Sequence, residues 1–591
     1  MHSFLGKVKN VSATIQRSWW KWFLYGFLAV AFLYATYFIF IFNPTPTKGP
    51  VNDAYWSGRQ IAFRIYIGAI ALSLIVYGIV AWCRQKLTAH KAAALIFCLA
   101  SLLYISYSFA TPIWDFGFVW NQHDIYYGST GSSVALTDGT MDAGGGHFGL
   151  TMTFYRCFKI PQIRWLESKQ EYDFSFGGLL QRYHPKTQYM LMGLYMRINS
   201  IFFHCPEGNI EMAYVMSNQE WALLESVRIL LVAAQMAQLY FVYRILQRLR
   251  IRSLPRLVTY ALFAFCPIWC FFANWIGNDA FCCVFGIISI YYAIVYFQNG
   301  KTYAALLCAL SIGVSLSCKL SSAPLAFVIA PMLIYRFVQR IKESKGMSVP
   351  WYRTPAAIMA YQMIGFAIIA FPIGLFWPMY NLVKFGQPLT FFSQTGNPRL
   401  DITRNIYWSL LVFPNDENFT SIWVYHYIND TMVQDYSLWT NVFKKGIFNE
   451  YRFLGSMNMC AALYASAFLV YFVGVGLMIY RLITMKKEYW KRNLPRLYIT
   501  LTLLAFNAVW TIYYVARTPQ TCNCDIRYFP TFVLGMALAF GIGFEATEDK
   551  QTRFAGLFKN ISMISVGVFA MMALSTYVSL FPVSYGGPYK I

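Results

Sequence analysis

The sequence predicts an all-α polytopic membrane protein with about thirteen transmembrane helices, on three observations. Charge is scarce: 12% of the residues are charged, 58% are hydrophobic and 19% are aromatic. Soluble domains carry roughly 25% charged residues, and a soluble chain this poor in charge could not cover its own surface. Apolar runs of about 20 residues recur, the length a helix needs to cross a bilayer. The basic residues gather in short loops between those runs. The mean hydropathy of +0.44 agrees.

The elements follow in order. An N-terminal arm with Lys7, Lys9, Arg17 and Lys21 precedes a span from Trp22 to Phe42. That run has no small-residue cleavage site and reads as a retained helix rather than a signal peptide. Pro44, Pro46 and Pro50 mark a short outer loop, and Ile61 to Trp82 returns to Arg84, Lys86 and Lys91. Ala92 to Ala110 leads to a long polar stretch, 111–220. Trp221 to Tyr243 comes back to the basic run from Arg244 to Arg256, and Glu225 and Arg228, one turn apart within it, are expected to satisfy each other. Leu257 to Trp275, Ala280 to Phe297, Tyr303 to Ser317, Ala323 to Phe337 and Ala356 to Met379 follow, then a second long stretch, 380–457. Met459 to Tyr480 meets the densest basic loop, Arg481 to Arg496. Leu497 to Tyr514, Phe529 to Phe544 and Ile561 to Leu580 complete the set.

Each strongly basic loop falls on one side, which places the N-terminus and these loops inside and both long stretches outside. The chain divides into an arm with two added helices (1–91), a core (92–544) with its two external loops, and an inner loop, last helix and outer tail (545–591). The net charge of +23 would suggest nucleic acid in a soluble protein, but here it serves orientation, so no nucleic-acid partner is expected. Most of the 13 cysteines lie in apolar runs and read as small buried hydrophobes. Cys205, Cys522 and Cys524 lie in external segments and could pair. No internal repeat of the transporter type is visible.

Ionisable groups cost several kcal/mol in hydrocarbon, so their positions carry information. Asp115, His123, Asp124, His147, His184, Lys186, Asp279, Lys319, Asp525 and Arg527 all fall at or just past the outer end of an expected helix. They could converge on one outer cavity. Leu150 to Ile160 suits a helix lying on the membrane. Pro185 suits the first position of a helix, which makes His184 a cap as readily as a ligand-binding group. Asn278-Asp279 could be turn residues alone. Lys319 could snorkel or bind a phosphate as a point charge. Arg527 suits bidentate phosphate binding, with Asp525 as its salt-bridge partner in the plainer reading.

The order of these motifs resembles the polyprenyl-phosphate-dependent GT-C glycosyltransferases, among them the protein O-mannosyltransferases and the aminoarabinose transferases of lipid A. The match looks closer still to uncharacterised bacterial membrane glycosyltransferases. Gln122-His123-Asp124 stands at the acidic position, then Gly146-His147-Phe148-Gly149 and Tyr183-His184-Pro185. Asn278-Asp279, Lys319-Leu320-Ser321, Asn381 to Pro388 and Asp525 to Tyr528 follow, so that the likeness covers about 92–544. The chain departs from the pattern in having one carboxylate at the acidic pair, Lys186 in place of a second proline, and two extra N-terminal helices.

The resemblance implies a GT-C-like core and inverting transfer of a sugar from a lipid phosphate to a hydroxyl. Asp124 would be the base, with Asp115 the other candidate, and His123 or His147 would orient that carboxylate or bind sugar hydroxyls. Lys319 and Arg527 would stabilise the departing phosphate. Gln122, His184, Lys186, Asp279, Asp525 and Tyr528 would complete the substrate site. The implied partners are membrane lipid, a polyprenyl-phosphate-linked sugar and an acceptor the sequence does not identify. No tightly bound cofactor is expected, and no ligand spacing indicates a metal. Trp114, Trp120, Tyr126 and Tyr127 suit stacking on a sugar ring, though interfacial aromatics are expected in any case. The rival from another class is a transporter or lipid flippase.

Overall fold

The protein is described from a computed structural model, which covers residues 23–42, 53–110, 146–156, 158, 160, 165–166, 171–172, 184–203, 218–387, 389, 425–428, 431–434, 438–448, 451–454, 456–485, 487–518, 525–549, 552–579 and 581–584. It is an all-α polytopic membrane protein. Helices α1 (Phe23–Phe40), α2 (Asp53–Cys83) and α3 (Ala89–Ala110) are followed by two short ones, α4 (Gly146–Arg156) and α5 (Thr187–Phe203). Next come α6 (Asn218–Arg248), the pair α7 (Ser253–Ala264) and α8 (Ile268–Asn274), α9 (Asp279–Asn299), α10 (Thr302–Cys318), α11 (Leu325–Ser344) and α12 (Pro355–Phe385). The chain closes with α13 (Leu438–Phe448), α14 (Met457–Thr484), α15 (Lys487–Arg517), α16 (Thr531–Asp549) and α17 (Arg553–Ser579).

Every expected span is met by a helix or a helix pair. Ten are long and apolar enough to cross a membrane among the described residues, and α7 with α8, bent by 51°, would make eleven. By length and composition the described residues thus give ten or eleven of the thirteen expected spans, for a physical reason. Helix α10 is a shorter apolar helix of 17 residues, and α11 carries Arg336, Arg340, Lys342 and Glu343 in its second half. Several helices outrun the apolar run that announced them. Helix α12 continues six residues past Met379, to a left-handed Gly386 cap at φ 68°. The divisions at 91/92 and 544/545 fall inside α3 and α16.

Apolar residues alone give no reason for helices to associate in lipid, where close packing between small residues matters more. Helices α10 and α12 meet at Gly313 and Gly374, where a Cβ on Gly313 would stand 3.3 Å from the Ala370 carbonyl oxygen. Helices α14 and α16 meet at Gly543, where a Cβ would lie 2.9 Å from the Leu477 backbone. Arg228 of α6 acts electrostatically on Glu225, as expected, and also donates to the Ser108 carbonyl of α3 (2.7 Å).

One end of the bundle is locked by ion pairs. Glu545 and Asp549 of α16 meet Arg496 of α15 (2.7 Å) and Arg481 of α14 (2.6 Å), and Asp549 also meets Arg252 before α7 (2.6 Å). The Tyr489 ring packs against the Arg481 guanidinium at 3.4 Å. Short antiparallel ladders add to the loops. Tyr425–Ile428 pairs with Thr431–Gln434, and Tyr451–Leu454 of the second long stretch pairs with Phe581–Ser584 beyond α17.

Candidate functional site

At the other end of α16 lies a buried polar cluster, assembled from four segments far apart in sequence. The first is the turn between α8 and α9. Trp275 leaves α8 in an extended conformation, and Gly277 follows because a Cβ there would stand 2.1 Å from the Trp275 indole. The turn delivers Asp279 as the first residue of α9, where the helix N-terminus favours a carboxylate. Asn278 beside it is 2% exposed.

The second segment is the break after α10. Lys319 is extended (φ −158°, ψ 131°), and a single 3-10 turn, Leu320–Ser322, leads on. The break sends the ammonium of Lys319 onto the carboxylate of Asp279, with side chains only 10% and 5% exposed. It also lies 4.4 Å over the Tyr528 ring. Lys319 thus neither snorkels nor waits as an isolated charge, and Asp279 is more than a turn residue.

The third segment, Asp525–Tyr528, opens α16. Asp525 accepts from the Arg527 backbone N–H (2.9 Å) and faces its guanidinium (3.3 Å). The guanidinium stands 5.2 Å over both Trp275 and Tyr528. Both readings of Asp525 and Arg527 survive this geometry: the pair exists, and the guanidinium also lies against two aromatic rings.

The fourth segment is His184-Pro185-Lys186. Helix α5 begins at Thr187, so Pro185 precedes the helix rather than occupying its first position, and His184 is not its cap. Three polar contacts fasten this end. Thr187 shares a hydroxyl contact with Ser317 and accepts from Trp377 Nε1 (2.9 Å). Gln188 accepts from the Phe281 backbone N–H (3.0 Å). Lys186, 1% exposed, lies 4.9 Å over the Trp377 ring. His184 is partly buried. Burial pushes its imidazole down first, and Lys319, Lys186 and Arg527 add to this against the weaker opposition of Asp279, to about 4. The ring is therefore neutral near pH 7.

The sequence-predicted residues His184, Lys186, Asp279, Lys319, Asp525, Arg527 and Tyr528 are thus gathered in one place. Asp115, Gln122, His123 and Asp124 lie outside the described residues, as do Trp114, Trp120, Tyr126, Tyr127 and the cysteines 205, 522 and 524. His147 is the second residue of α4, and only its backbone is described. The helix expected over Leu150 to Ile160 begins earlier, at Gly146, and ends at Arg156.

Sequence reasoning missed Trp275, Trp377, Thr187, Gln188 and Ser317. Nothing in a tryptophan at the end of an apolar run separates an interfacial anchor from the floor beneath a cation. It also passed over Lys444 and Lys445, both fully buried in α13, whose Gly446 faces Ile526. One turn along α9, Cys282, Cys283, Ser321, Ser322, Asn507 and Thr531 line a small cavity.

Among the described residues gathered here are three cations, Lys186, Lys319 and Arg527, and two carboxylates, Asp279 and Asp525, in a water-poor setting. Such a place suits an oxyanion, because low dielectric strengthens fixed charges. No family model matches the chain, and no curated protein matches it.

Proposed function

We propose that this chain is a membrane glycosyltransferase. It moves a sugar from a polyprenyl-phosphate donor to a hydroxyl acceptor at the external face of the cell membrane, or of the endoplasmic reticulum in a eukaryote. One observation carries the reading: His184, Lys186, Asp279, Lys319, Asp525 and Arg527, singled out in sequence by their order, share one cluster at one end of the bundle. Two further supports are the cations Lys186, Lys319 and Arg527 among the cluster's described residues and its position at helix ends rather than mid-helix.

In this mechanism the acceptor oxygen attacks the anomeric carbon as the bond to the phosphate oxygen breaks. The acceptor proton passes to Asp124 or Asp115, and the electron pair leaves with the phosphate. Lys319 and Arg527 stabilise the developing phosphate charge. Asp279 and Asp525 hold those two cations in place, and His184 and Lys186 line the entry or the acceptor side. The lipid tail lies between helices in the bilayer, the N-terminus is cytoplasmic, and the acceptor is a cell-wall polymer, a lipid or a protein.

The test is purified protein with a lipid-phosphate hexose. Asp124→Asn or Asp115→Asn abolishes transfer, and full activity in both variants sinks the base assignment. Arg527→Ala weakens lipid-phosphate binding more than free-sugar binding, and equal effects refute its phosphate role.

The 51° bend between α7 and α8, immediately before the cluster, favours a second reading. Broken helices at a polar site are a transporter device, and a glycolipid transporter or flippase would use them. Movement of intact glycolipid across vesicles without sugar transfer would select that reading.

A further inference from the structure

Helix α11 begins just past the Leu320–Ser322 turn, beside the polar cluster, and runs away from it. On its surface Ile334, Val338 and Ile341, four and three residues apart, are exposed along one stripe. A second stripe, with Ile358, Tyr361 and Ile368, is exposed on α12. In a membrane bundle such stripes face lipid. The turn that joins them, 345–354, therefore sits where both helices leave the hydrocarbon.

That turn is not an ordinary polar loop. Met347, Val349, Trp351 and Tyr352 are all exposed, Trp351 to 74%. A loop standing clear of the membrane would leave this apolar area in water. Cations flank it. Arg336 and Arg340 both turn to Glu343 (3.8 and 2.5 Å), the only acidic residue between 325 and 385. Lys342, Lys345 and Arg353 are exposed, and none of the three has an ion pair among the described residues. The Arg353 guanidinium lies 5.6 Å over the Tyr352 ring, so charge and aromatic surface are presented together.

We propose that this turn is a docking surface for anionic phospholipid. Met347, Val349, Trp351 and Tyr352 enter the boundary between headgroups and acyl chains, and Lys342, Lys345 and Arg353 bind the phosphates above it. Aromatic side chains with a polar edge belong at that depth. Lysine and arginine close to the surface draw anionic lipid to them. Continuity with two lipid-facing stripes decides for lipid over protein, because a protein partner would have to displace lipid from both stripes to reach the turn. The surface is independent of the sugar-transfer reading.

The test uses the full chain with benzoylphenylalanine in place of Trp351, in nanodiscs of phosphatidylcholine containing about 5% phosphatidylglycerol. Irradiation attaches whatever lies against the label, and mass spectrometry identifies it. Phosphatidylglycerol should form a share of the adducts about three to ten times its share of the bilayer. Combining Lys342→Gln, Lys345→Gln and Arg353→Gln should bring that share to within about twofold of the bilayer's, with phosphatidylcholine still attached. Raising salt should lower the enrichment in the parent chain. The same label in place of Ile368, along the α12 stripe, should report the bilayer's own composition in both backgrounds. Lipid adducts at position 351 without enrichment overturn the anionic preference. Enrichment that survives the triple variant overturns the role of the three cations. A label at 351 that attaches protein, or no lipid, overturns the docking surface itself.

Discussion

Replacing Lys319 with methionine isolates the Asp279 carboxylate. That carboxylate is 5% exposed, so water cannot take the place of the ammonium. Breaking a buried ion pair from one side typically costs about 3–5 kcal/mol. Loss of the ammonium from the Tyr528 face, at 4.4 Å, adds about 0.5–2 kcal/mol. The N-terminus of α9 returns about 0.5–1 kcal/mol to the stranded carboxylate. The expected loss for Lys319→Met is therefore about 3–6 kcal/mol. Asp279→Asn strands the ammonium instead, but the Tyr528 ring remains beneath it, so about 2–4 kcal/mol is expected. The double variant holds no charge at all and should lose only about 1–2 kcal/mol. The cycle thus predicts a coupling of at least about 2 kcal/mol between the two positions. The measurement is detergent-induced unfolding followed by tryptophan fluorescence, with Trp275 and Trp377 as nearby reporters. A double variant as unstable as the sum of the singles would refute the reasoning.

Glu545→Ala should cost about 3–5 kcal/mol in the same assay, because Arg496 is left buried beside it, while Arg252→Ala, with a half-exposed side chain, should cost about 1 kcal/mol or less. Equal losses would show that burial does not decide these contributions. Gly543→Ala should cost about 1–3 kcal/mol by forcing α14 and α16 apart, and an unchanged unfolding midpoint would count against the close helix contact. His184 lies lower in the folded chain than its ordinary value of 6.5, at about 4, so the unfolded chain gains the proton first as pH falls. Stability should therefore decline between about pH 6.5 and 4, by at most about 3 kcal/mol, and level off below. His184→Gln should flatten that part of the profile, and an unaltered slope would place the proton elsewhere.

The spans were legible because length and apolarity are local properties. Helix ends were less so: α12 runs to Phe385 because Gly386 supplies the left-handed cap, whereas apolarity alone marked Met379. Helices α10 and α11 do not stand out as spans by length and composition, because an apolar run does not measure helix length or later charge. In the cluster, the ionisable residues announced themselves by being out of place in apolar surroundings. Their partners did not. Asp279 and Lys319 are 40 positions apart, and only the packing of α9 on α10 brings them together. The ion pairs from Arg252, Arg481 and Arg496 onto α16 hid among ordinary loop charges for the same reason.

The ladder between Tyr451–Leu454 and Phe581–Ser584 carries its own arithmetic. Between its strands the chain runs through α14, α15, α16 and α17, each long and apolar enough to cross a bilayer. Main-chain hydrogen bonds close this stretch into a circuit, and a circuit must cross a barrier an even number of times. Four crossings satisfy that rule, whereas three or five would set the two strands on opposite faces. The helix count in this quarter of the chain is therefore checked by backbone pairing, independently of where any basic residue falls.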